Sequence, residues 1–373
     1  MKSYQSMKPL PIGQSTDWNK GVRGAFQDLP DWHVGGNAFV LKKDKLKEYF
    51  PEIADKYPNL SLTVKVNHKF INKGFNMDRY IIKNIAWLNG YAPRVYEVCM
   101  VRDYHSEREY HAHIMEYIDG EFATTEEGYV LWDKYEQDLK NRFYVDRYGP
   151  ASEASNFIDG KLVDFDEFVF GDKDQYEVQL VDRYTKTAYW GSTAAAYQDI
   201  PVIGIQGCRS YDRYIKMGIM DMDLTGKTVL DIGCSGGQVL YWAAKRNAKR
   251  IVGVDLPEIA KITFEMANFH EFFNIETVGC DLTQDNIQES VKQQTGLDQF
   301  DIVTIFSMNQ HIGFHQYMRD LCKDTLYLET NAGQMPEVEI VEYPEQFGKL
   351  GYTSFEYKGE VKESGTRSLF ICK

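Results

Sequence analysis

The clearest chemical signature in this chain is a glycine-rich run that opens with an acid. Residues 231–237 read Asp-Ile-Gly-Cys-Ser-Gly-Gly and lie between an apolar stretch of strand character and a stretch of helical periodicity. Glycine lets a backbone turn sharply and approach a ligand closely. A helix that begins behind such a run presents unpaired N–H groups and the positive end of its dipole. The run therefore predicts a ligand-binding turn between a strand and a helix.

Two further acids end the next two predicted strands. Asp255 closes the second strand and Asp281 closes the third. An acid at the tip of the second strand is placed to accept hydrogen bonds from both hydroxyls of a ribose, and the third acid could accept from an adenine amino group. Together the acids predict a nucleoside ligand.

The acid at the first position argues against a dinucleotide. Dinucleotide-binding loops carry G-x-G-x-x-G and hold a pyrophosphate, whereas this run is D-x-G-x-x-G-G. A carboxylate beside a pyrophosphate is repelled, while the same carboxylate attracts an amine or a sulfonium cation.

These residues resemble the class I S-adenosylmethionine-dependent methyltransferases, through VLDIGCSGG, the following GVD and the later CDL. The resemblance implies S-adenosyl-L-methionine as the cofactor, with Asp231 near its methionine end and Asp255 on its ribose. The full set of residues that the resemblance places at the cofactor is Asp231, Gly233, Cys234, Ser235, Gly237, Asp255, Leu256, Asp281, Leu282 and Ser307.

The elements around these residues predict an α/β fold with a parallel sheet. We expect a Rossmann-like seven-stranded sheet with helices on both faces, whose last two strands form an antiparallel hairpin at the edge. The predicted strands are 228–234, 250–256, 275–282, 300–308, 325–330, 352–361 and 367–373. The predicted helices are 237–247, 257–272, 285–295, 310–323 and 336–350.

Methyl transfer is an in-line displacement, so the enzyme mainly aligns the acceptor with the methyl group. A hydroxyl acceptor also benefits from a base with a pKa near 7, for which histidine is suited. His311 is the leading candidate, and the i, i+4 spacing of His315 predicts that both histidines share one helix face. Glu329, at the end of the fifth strand, is the second catalytic candidate. We expect no metal, because the HxxxH pair has no evident third ligand.

The acceptor is narrowed by motifs that are absent from the sequence. The segment after the fourth strand reads SMNQ, unlike the Asn/Asp-Pro-Pro-aromatic motif of methyltransferases that act on base amines, and no Pro-Cys pair suggests cytosine chemistry. A small-molecule or saccharide hydroxyl is the preferred acceptor. Arg209 and Arg213, also i, i+4, could contact an anionic acceptor or the cofactor carboxylate, as could His315; a solvated helix face is the alternative for the arginines.

The N-terminal half resembles, more weakly, the kinase superfamily. Lys65 lies on a predicted strand, and Asn156 with Asp164 is similar to the metal-binding Asn and DFG turn of kinases, so these three are candidate nucleotide contacts. The pattern breaks at position 151, where an Ala replaces the catalytic Asp, and the helix after Lys65 offers no evident Glu. This half is thus either a degenerate kinase-like module or an unrelated acceptor-binding α+β domain.

Composition sets the remaining expectations. The 373 residues carry 42 Lys+Arg against 55 Asp+Glu, a net charge of −13 that disfavours nucleic-acid binding. Scattered cysteines and the lack of a signal sequence or long apolar run favour a cytoplasmic protein without a membrane span. We expect two domains, 1–200 and 201–373. Alternatives to a methyltransferase of small acceptors are a non-catalytic binding or assembly protein, a bifunctional kinase–methyltransferase and a nucleic-acid methyltransferase.

Overall fold

A computed structural model describes residues 2–11, 27–34, 38–67, 77–106, 108–121, 123–147, 157–163, 168–187, 196–283, 287–331, 336–362 and 365–373. The chain divides into two compact units, Met1–Val178 and Gln179–Lys373. The boundary between the units falls after Val178, whereas the sequence predicts it after residue 200. Asn156 and Asp164 lie outside the described residues.

The first unit is built on a mixed seven-stranded sheet with the order β1-β6-β7-β5-β4-β3-β2. Its strands are β1 Ser3–Gln5, β2 Gln27–Asp28, β3 Trp32–Val34, β4 Ala38–Leu41, β5 Leu62–Asn67, β6 Val95–Arg102 and β7 Glu109–Glu116. Four short strands form two further pairs, namely β8 Val145–Arg147, β9 Phe157–Ile158, β10 Lys161–Leu162 and β11 Phe168–Phe170.

The helices that accompany these strands are α1 Leu46–Tyr49, α2 Pro51–Lys56, α3 Met77–Leu88 and α4 Thr125–Phe143, and the boundary between the two units falls within the next helix, α5 Lys173–Thr187. Thr124 begins α4 with a capping box, because its hydroxyl accepts from the Glu127 N–H at 3.3 Å while the Glu127 carboxylate accepts from the Thr124 N–H at 2.9 Å. The two residues of this capping box are three positions apart in the chain, so such a helix start can be recognised from the sequence alone.

The sequence alone predicts a single strand over the apolar run 162–170, and this prediction is wrong. The apolar run 162–170 is not a single strand, since Leu162 ends β10 and pairs with Phe157, whereas Phe168 begins β11 and pairs with Arg147. The run is divided between two small sheets, and a periodicity of two cannot show where a strand changes its partner.

The second unit contains the predicted seven-stranded sheet, in the order β16-β15-β14-β17-β18-β20-β19. Its strands are β14 Thr228–Ile232, β15 Arg250–Asp255, β16 Ile275–Gly279, β17 Phe300–Phe306, β18 Cys322–Glu329, β19 Phe355–Lys362 and β20 Thr366–Cys372. Strands β14 to β18 pair in parallel, and β20 pairs antiparallel with β18 and β19. The predicted α/β sheet with a terminal hairpin is confirmed.

Two short parallel strands precede this sheet, β12 Ala196–Gln198 and β13 Gly207–Arg209. The helices of the second unit are α6 Asp212–Lys216, α7 Gln238–Lys245, α8 Pro257–Phe269, α9 Ile287–Thr295, α10 Asn309–Ile312, α11 Tyr317–Asp320 and α12 Pro336–Lys349. Across the parts of the chain that the structure describes, no helix combines the length and the apolar composition needed to cross a bilayer.

Side-chain alternation along β14 explains the placement of its acid. Leu230 and Ile232 are fully buried in a core cluster with residues of α9, α11 and α12. Asp231 lies between them and points to the opposite face of the sheet, because successive strand residues alternate. The Asp231 carboxyl group is therefore buried on the face of the sheet opposite this core cluster.

The predicted helix 310–323 is wrong. The structure has two single turns, α10 and α11, separated by Gly313 with φ +72°. A left-handed residue ends a helix, so His311 and His315 do not share one helix face as their spacing predicts.

Candidate active site

The first acid of the glycine-rich run is buried beneath the sheet edge. Asp231 is 2% exposed, and its Oδ1 accepts a hydrogen bond from Thr304 Oγ1 at 2.6 Å. Burial raises the pKa of Asp231 to about 7, although the Thr304 hydroxyl and the charge of Arg213 both lower it. A carboxyl group with this pKa is partly protonated at neutral pH. A cation that binds beside it stabilises the deprotonated, negatively charged form.

The second acid closes the glycine-rich run onto the tip of β15. Asp255 Oδ2 accepts from the Ser235 N–H at 2.7 Å, and Oδ1 accepts from the Leu256 N–H at 2.8 Å. A carboxylate offers about four acceptor positions, so both oxygens retain capacity for hydroxyl donors. Leu256, the next residue, is 42% exposed and presents an apolar side chain beside this carboxylate.

The third acid lies at the end of the neighbouring strand β16. Asp281 is exposed, and its Oδ1 accepts from the N–H and the hydroxyl of Thr283 at 2.9 and 2.7 Å. Leu282 is 4% exposed and belongs to the core cluster. The three acids thus follow three adjacent parallel strands, in the order β14, β15, β16.

The turn between β14 and α7 requires its glycines. Gly233 has φ +80°, and a Cβ placed there would lie 2.3 Å from Met308 Cγ. Gly237 has φ +89° and immediately precedes α7. Cys234 is fully buried, and a Cβ on Gly253 would lie 2.8 Å from its sulfur, so its side chain packs beneath the turn against the next strand. Cys234 is therefore able to contact a ligand through its backbone only.

The start of α7 is held by residues that the sequence analysis does not identify. The Gln238 N–H donates to Gln198 Oε1 at 3.0 Å, and Gln238 Nε2 donates to the carbonyls of Asp199 and Arg209 at 2.8 Å each. The Tyr184 hydroxyl donates to the Gly236 carbonyl. The partners lie 29 to 52 residues from Gln238 and Gly236 along the chain, so no local signal could reveal them.

Two predicted site residues bind each other. Arg209 and Glu329 are 2% and 0% exposed, and Arg209 Nη2 lies 2.5 and 2.6 Å from the two Glu329 oxygens. Arg209 Nη1 also donates to the Tyr197 hydroxyl at 2.8 Å. Because the Glu329 carboxylate is already neutralised by a guanidinium, it is poorly suited to accept a proton from a substrate.

This ion pair surrounds Ser307 at the end of β17. Ser307 has φ +60°, an uncommon conformation for a residue with a side chain. Its hydroxyl donates to Glu329 Oε2 at 2.8 Å and accepts from Arg367 Nη1 at 2.6 Å, while its carbonyl accepts from Asn331 Nδ2 at 2.7 Å. Arg367, on β20, is missing from the sequence-based site because nothing near it in the chain suggests a function.

Arg213 does not share a helix face with Arg209, since Arg209 ends β13 and Arg213 lies on α6. Arg213 is 2% exposed and donates to Gln238 Oε1, so the predicted alternative of a solvated helix face is wrong for both arginines.

The two histidines have different surroundings. His311 is exposed on α10, and its backbone N–H donates to the Met308 carbonyl at 2.8 Å. The ring of His315 stacks on Tyr317, with 5.2 Å between centroids. His311 therefore lies on the first helical turn after β17, and His315 follows the break at Gly313.

In the first unit, Lys65 lies on β5 opposite His113 of β7 and is 6% exposed. Lys83, on α3, places its Nζ 3.2 Å from His113 Nδ1. Burial and the charges of Lys83 and Lys65 hold the pKa of His113 well below its usual value, so the neutral ring accepts from Lys83. The helix that follows Lys65 in the chain thus contributes a lysine to this cluster.

The residues at the sheet edge fit S-adenosylmethionine. The turn leaves no room for a Cβ on Gly233, the Asp255 carboxylate can receive two hydroxyl donors, and an exposed apolar side chain stands beside it. The buried Asp231 matches a positively charged ligand group rather than a phosphate.

The chain is similar to known methyltransferases over the residues that form this sheet edge. Residues 215–330 match the model of the FtsJ-like methyltransferase family. The chain is 25% identical over 160 residues to a ubiquinone biosynthesis O-methyltransferase of Psychrobacter arcticus, covering 38% of this chain and 56% of that protein. It is 34% identical over 89 residues to the enzyme of the same name from Pseudomonas paraeruginosa, covering 24% and 35%. The chain thus spans about half or less of the length of these relatives.

Solved structures give weaker matches. The bifunctional kinase-methyltransferase WbdD is 19% identical with a TM-score of 0.35, covering 45% of this chain and 40% of that one. The N-terminal domain of EvdMO1, solved with SAH and D-fucose, is 14% identical with a TM-score of 0.37, covering 54% and 97%. The part of the second unit that is similar to the FtsJ-like methyltransferase family, residues 215–330, contains strands β14 to β18, the glycine-rich turn and the three acids.

Proposed function

We propose that this protein is an S-adenosylmethionine-dependent methyltransferase that methylates a hydroxyl group of a small-molecule or saccharide acceptor. The observation that carries the proposal is the row of three acids at the tips of adjacent parallel strands, beside a turn in which Gly233 has no space for a side chain. The names of the relatives, O-methyltransferases, favour oxygen as the acceptor atom.

The cofactor, when bound, supplies an electrophilic methyl group on a sulfonium. Asp255 would bind the ribose hydroxyls, and the backbone of 233–237 would lie against the methionine part. Asp231 would balance the positive charge of the cofactor from beneath the turn. Leu256, Asp281 and Leu282 would border the adenine.

The acceptor would lie on the other half of the sheet edge, beyond β17. Glu329 is held in its ion pair with Arg209, so we assign the pair a positioning role: it fixes Ser307, the residue at which β17 ends. His311 is then the remaining candidate base, because it is exposed and lies three residues after Met308, whose side chain is next to Gly233. An imidazole group is suited to remove a proton from a hydroxyl near neutral pH.

The substitution Asp255→Ala tests the cofactor assignment. Each hydrogen bond to a charged group contributes about 1.5–3 kcal/mol, so we expect at least a roughly thirtyfold loss of S-adenosylmethionine affinity by isothermal titration calorimetry. The control is Asp298→Ala, which removes a half-exposed carboxylate of the same unit. Asp255→Asn keeps an acceptor oxygen and should retain part of the affinity. Unchanged affinity in a folded Asp255→Ala protein would overturn the assignment.

A turnover assay separates the proposed enzyme from a non-catalytic binding protein. Formation of S-adenosylhomocysteine that depends on an added hydroxyl acceptor supports the enzyme. Binding of the cofactor without turnover on any acceptor would favour the binding protein.

A further inference from the structure

A polar groove lies in the second unit between α6 and the edge strand β19. Its volume is about 570 Å³, and it is lined by Asp212, Lys216, Tyr357, Gly359, Glu360 and Lys362. None of these residues belongs to the cofactor site described above.

The groove is level with the carboxyl edge of the parallel sheet. Glu360 pairs with Ser368 and Val361 pairs with Arg367, while the Thr330 N–H, just past the end of β18, donates to the Ser368 carbonyl. Ligands of parallel sheets bind beyond the carboxyl ends of the strands. The three acids occupy the half formed by β14, β15 and β16, so the groove lies at the far end of the other half.

The sheet order fixes how far the groove lies from the reaction. From β14, the strands β17, β18 and β20 come before β19, which makes four strand spacings. At about 4.8 Å per spacing the separation is about 19 Å. A group in the groove cannot be the one that receives the methyl, but it can be a remote part of an acceptor that is at least this long.

The charges of the residues that line the groove indicate which class of ligand it can bind. Two carboxylates, of Asp212 and Glu360, are balanced by two ammonium groups, of Lys216 and Lys362. This balance disfavours a polyanion or a polycation. It provides both donors and acceptors for a neutral chain rich in hydroxyl groups.

An aromatic ring completes the groove. Tyr357 is 37% exposed; its ring packs on Phe370 with 5.5 Å between centroids, and its hydroxyl donates to Glu360 Oε1 at 3.2 Å. The strand register shifts between Tyr357 and Gly359, where φ is +92°. Such bulges re-aim side chains at strand edges, and a supported flat ring can pack against the C–H face of a sugar.

We propose that this groove binds the distal units of an extended saccharide acceptor, whose reacting hydroxyl lies about 19 Å away beside the glycine-rich turn. The inference rests on the proposed function and names its acceptor class. Binding energy gained at this remote site would be used to align the reacting end.

A glycan array of monosaccharides to hexasaccharides, probed with the labelled full-length protein, tests the proposal. We expect retention of oligosaccharides but not of monosaccharides, and a loss of about fivefold to tenfold in affinity for Tyr357→Ala, in line with the loss of an aromatic contact. Tyr357→Phe keeps the ring and should keep most of the affinity. Tyr129→Ala, which removes a more exposed tyrosine from the first unit, is the control.

Retention of no glycan, or equal retention by wild type and a folded Tyr357→Ala protein, would overturn the proposal. Cofactor binding is measured separately by calorimetry. A protein that binds oligosaccharides but not S-adenosylmethionine would therefore refute the proposed function and leave the saccharide-binding role of the groove intact. A protein that turns over short and long acceptors equally would refute only the saccharide-binding role of the groove.

Discussion

At the scale of single residues, the protonation of Asp231 links pH to stability. The pKa of this buried carboxyl is raised to about 7, whereas an exposed aspartate has a value of 3.8. The folded state therefore binds a proton that the unfolded state releases, so the contribution of Asp231 to stability is greatest below pH 4 and falls as pH rises to 7.

Asp231→Asn should remove this penalty. We expect the cofactor-free variant to be more stable than wild type by roughly 2–4 kcal/mol at pH 8, with the difference shrinking towards pH 4. Urea denaturation at several pH values measures it, and a difference independent of pH would contradict the buried, proton-binding state. The same variant should lose cofactor affinity, because an amide cannot balance a cation.

Gly233 carries a second prediction at this scale. Gly233→Ala combines a positive φ with a Cβ that would lie 2.3 Å from Met308 Cγ, so we expect a loss of about 1–3 kcal/mol in unfolding free energy. Met308→Ala should relieve the collision but leave the backbone strain. The double variant should then be more stable than additivity predicts by at least about 0.5 kcal/mol; strictly additive effects would show that the two side chains do not compete for space.

At the scale of elements, β13 and β18 are joined through the buried Arg209–Glu329 pair. Removing one partner leaves a buried charge, so Arg209→Met should cost about 3–5 kcal/mol in unfolding free energy. The double variant with Glu329→Leu should recover part of this loss, because both charges are then absent.

The same pair distinguishes positioning from proton transfer. Glu329→Gln should lower stability and turnover while the acidic limb of the pH profile of kcat stays as in wild type, whereas His311→Ala should lower kcat without changing the free energy of unfolding, because His311 is exposed. A Glu329→Gln protein that loses the acidic limb would return the base to Glu329.

At the scale of the whole molecule, the first unit raises the question of a second ligand. Lys65 and Lys83 bring two ammonium groups to the buried His113, and Lys65 is one of the nucleotide contacts that the resemblance to kinases predicts. We expect millimolar ATP with magnesium to raise the Tm of the full chain by about 2–5 °C. Lys65→Ala should abolish the increment, whereas the exposed Lys140→Ala should not. A wild-type Tm that ATP leaves unchanged would exclude nucleotide binding by this unit.

The net charge of −13 is also a property of the whole molecule. It repels polyanions over the whole surface, and the balanced lining of the groove between α6 and β19 adds no basic path for a nucleic acid. A neutral or small acceptor is the one that this charge distribution favours.

The sequence by itself determined the sheet of the second unit and the cofactor turn. Strand and helix periods, the positive-φ glycines and the acids at strand ends are local features, which act within one strand–turn–helix unit and can be read without the rest of the fold. The tertiary structure alone decided what the charged side chains do. Arg209 and Glu329 are 120 residues apart, and Gln238 meets Gln198 across 40 residues. A buried ionic or polar group takes the partner that the packed fold brings to it, and the choice of partner is not encoded near either residue.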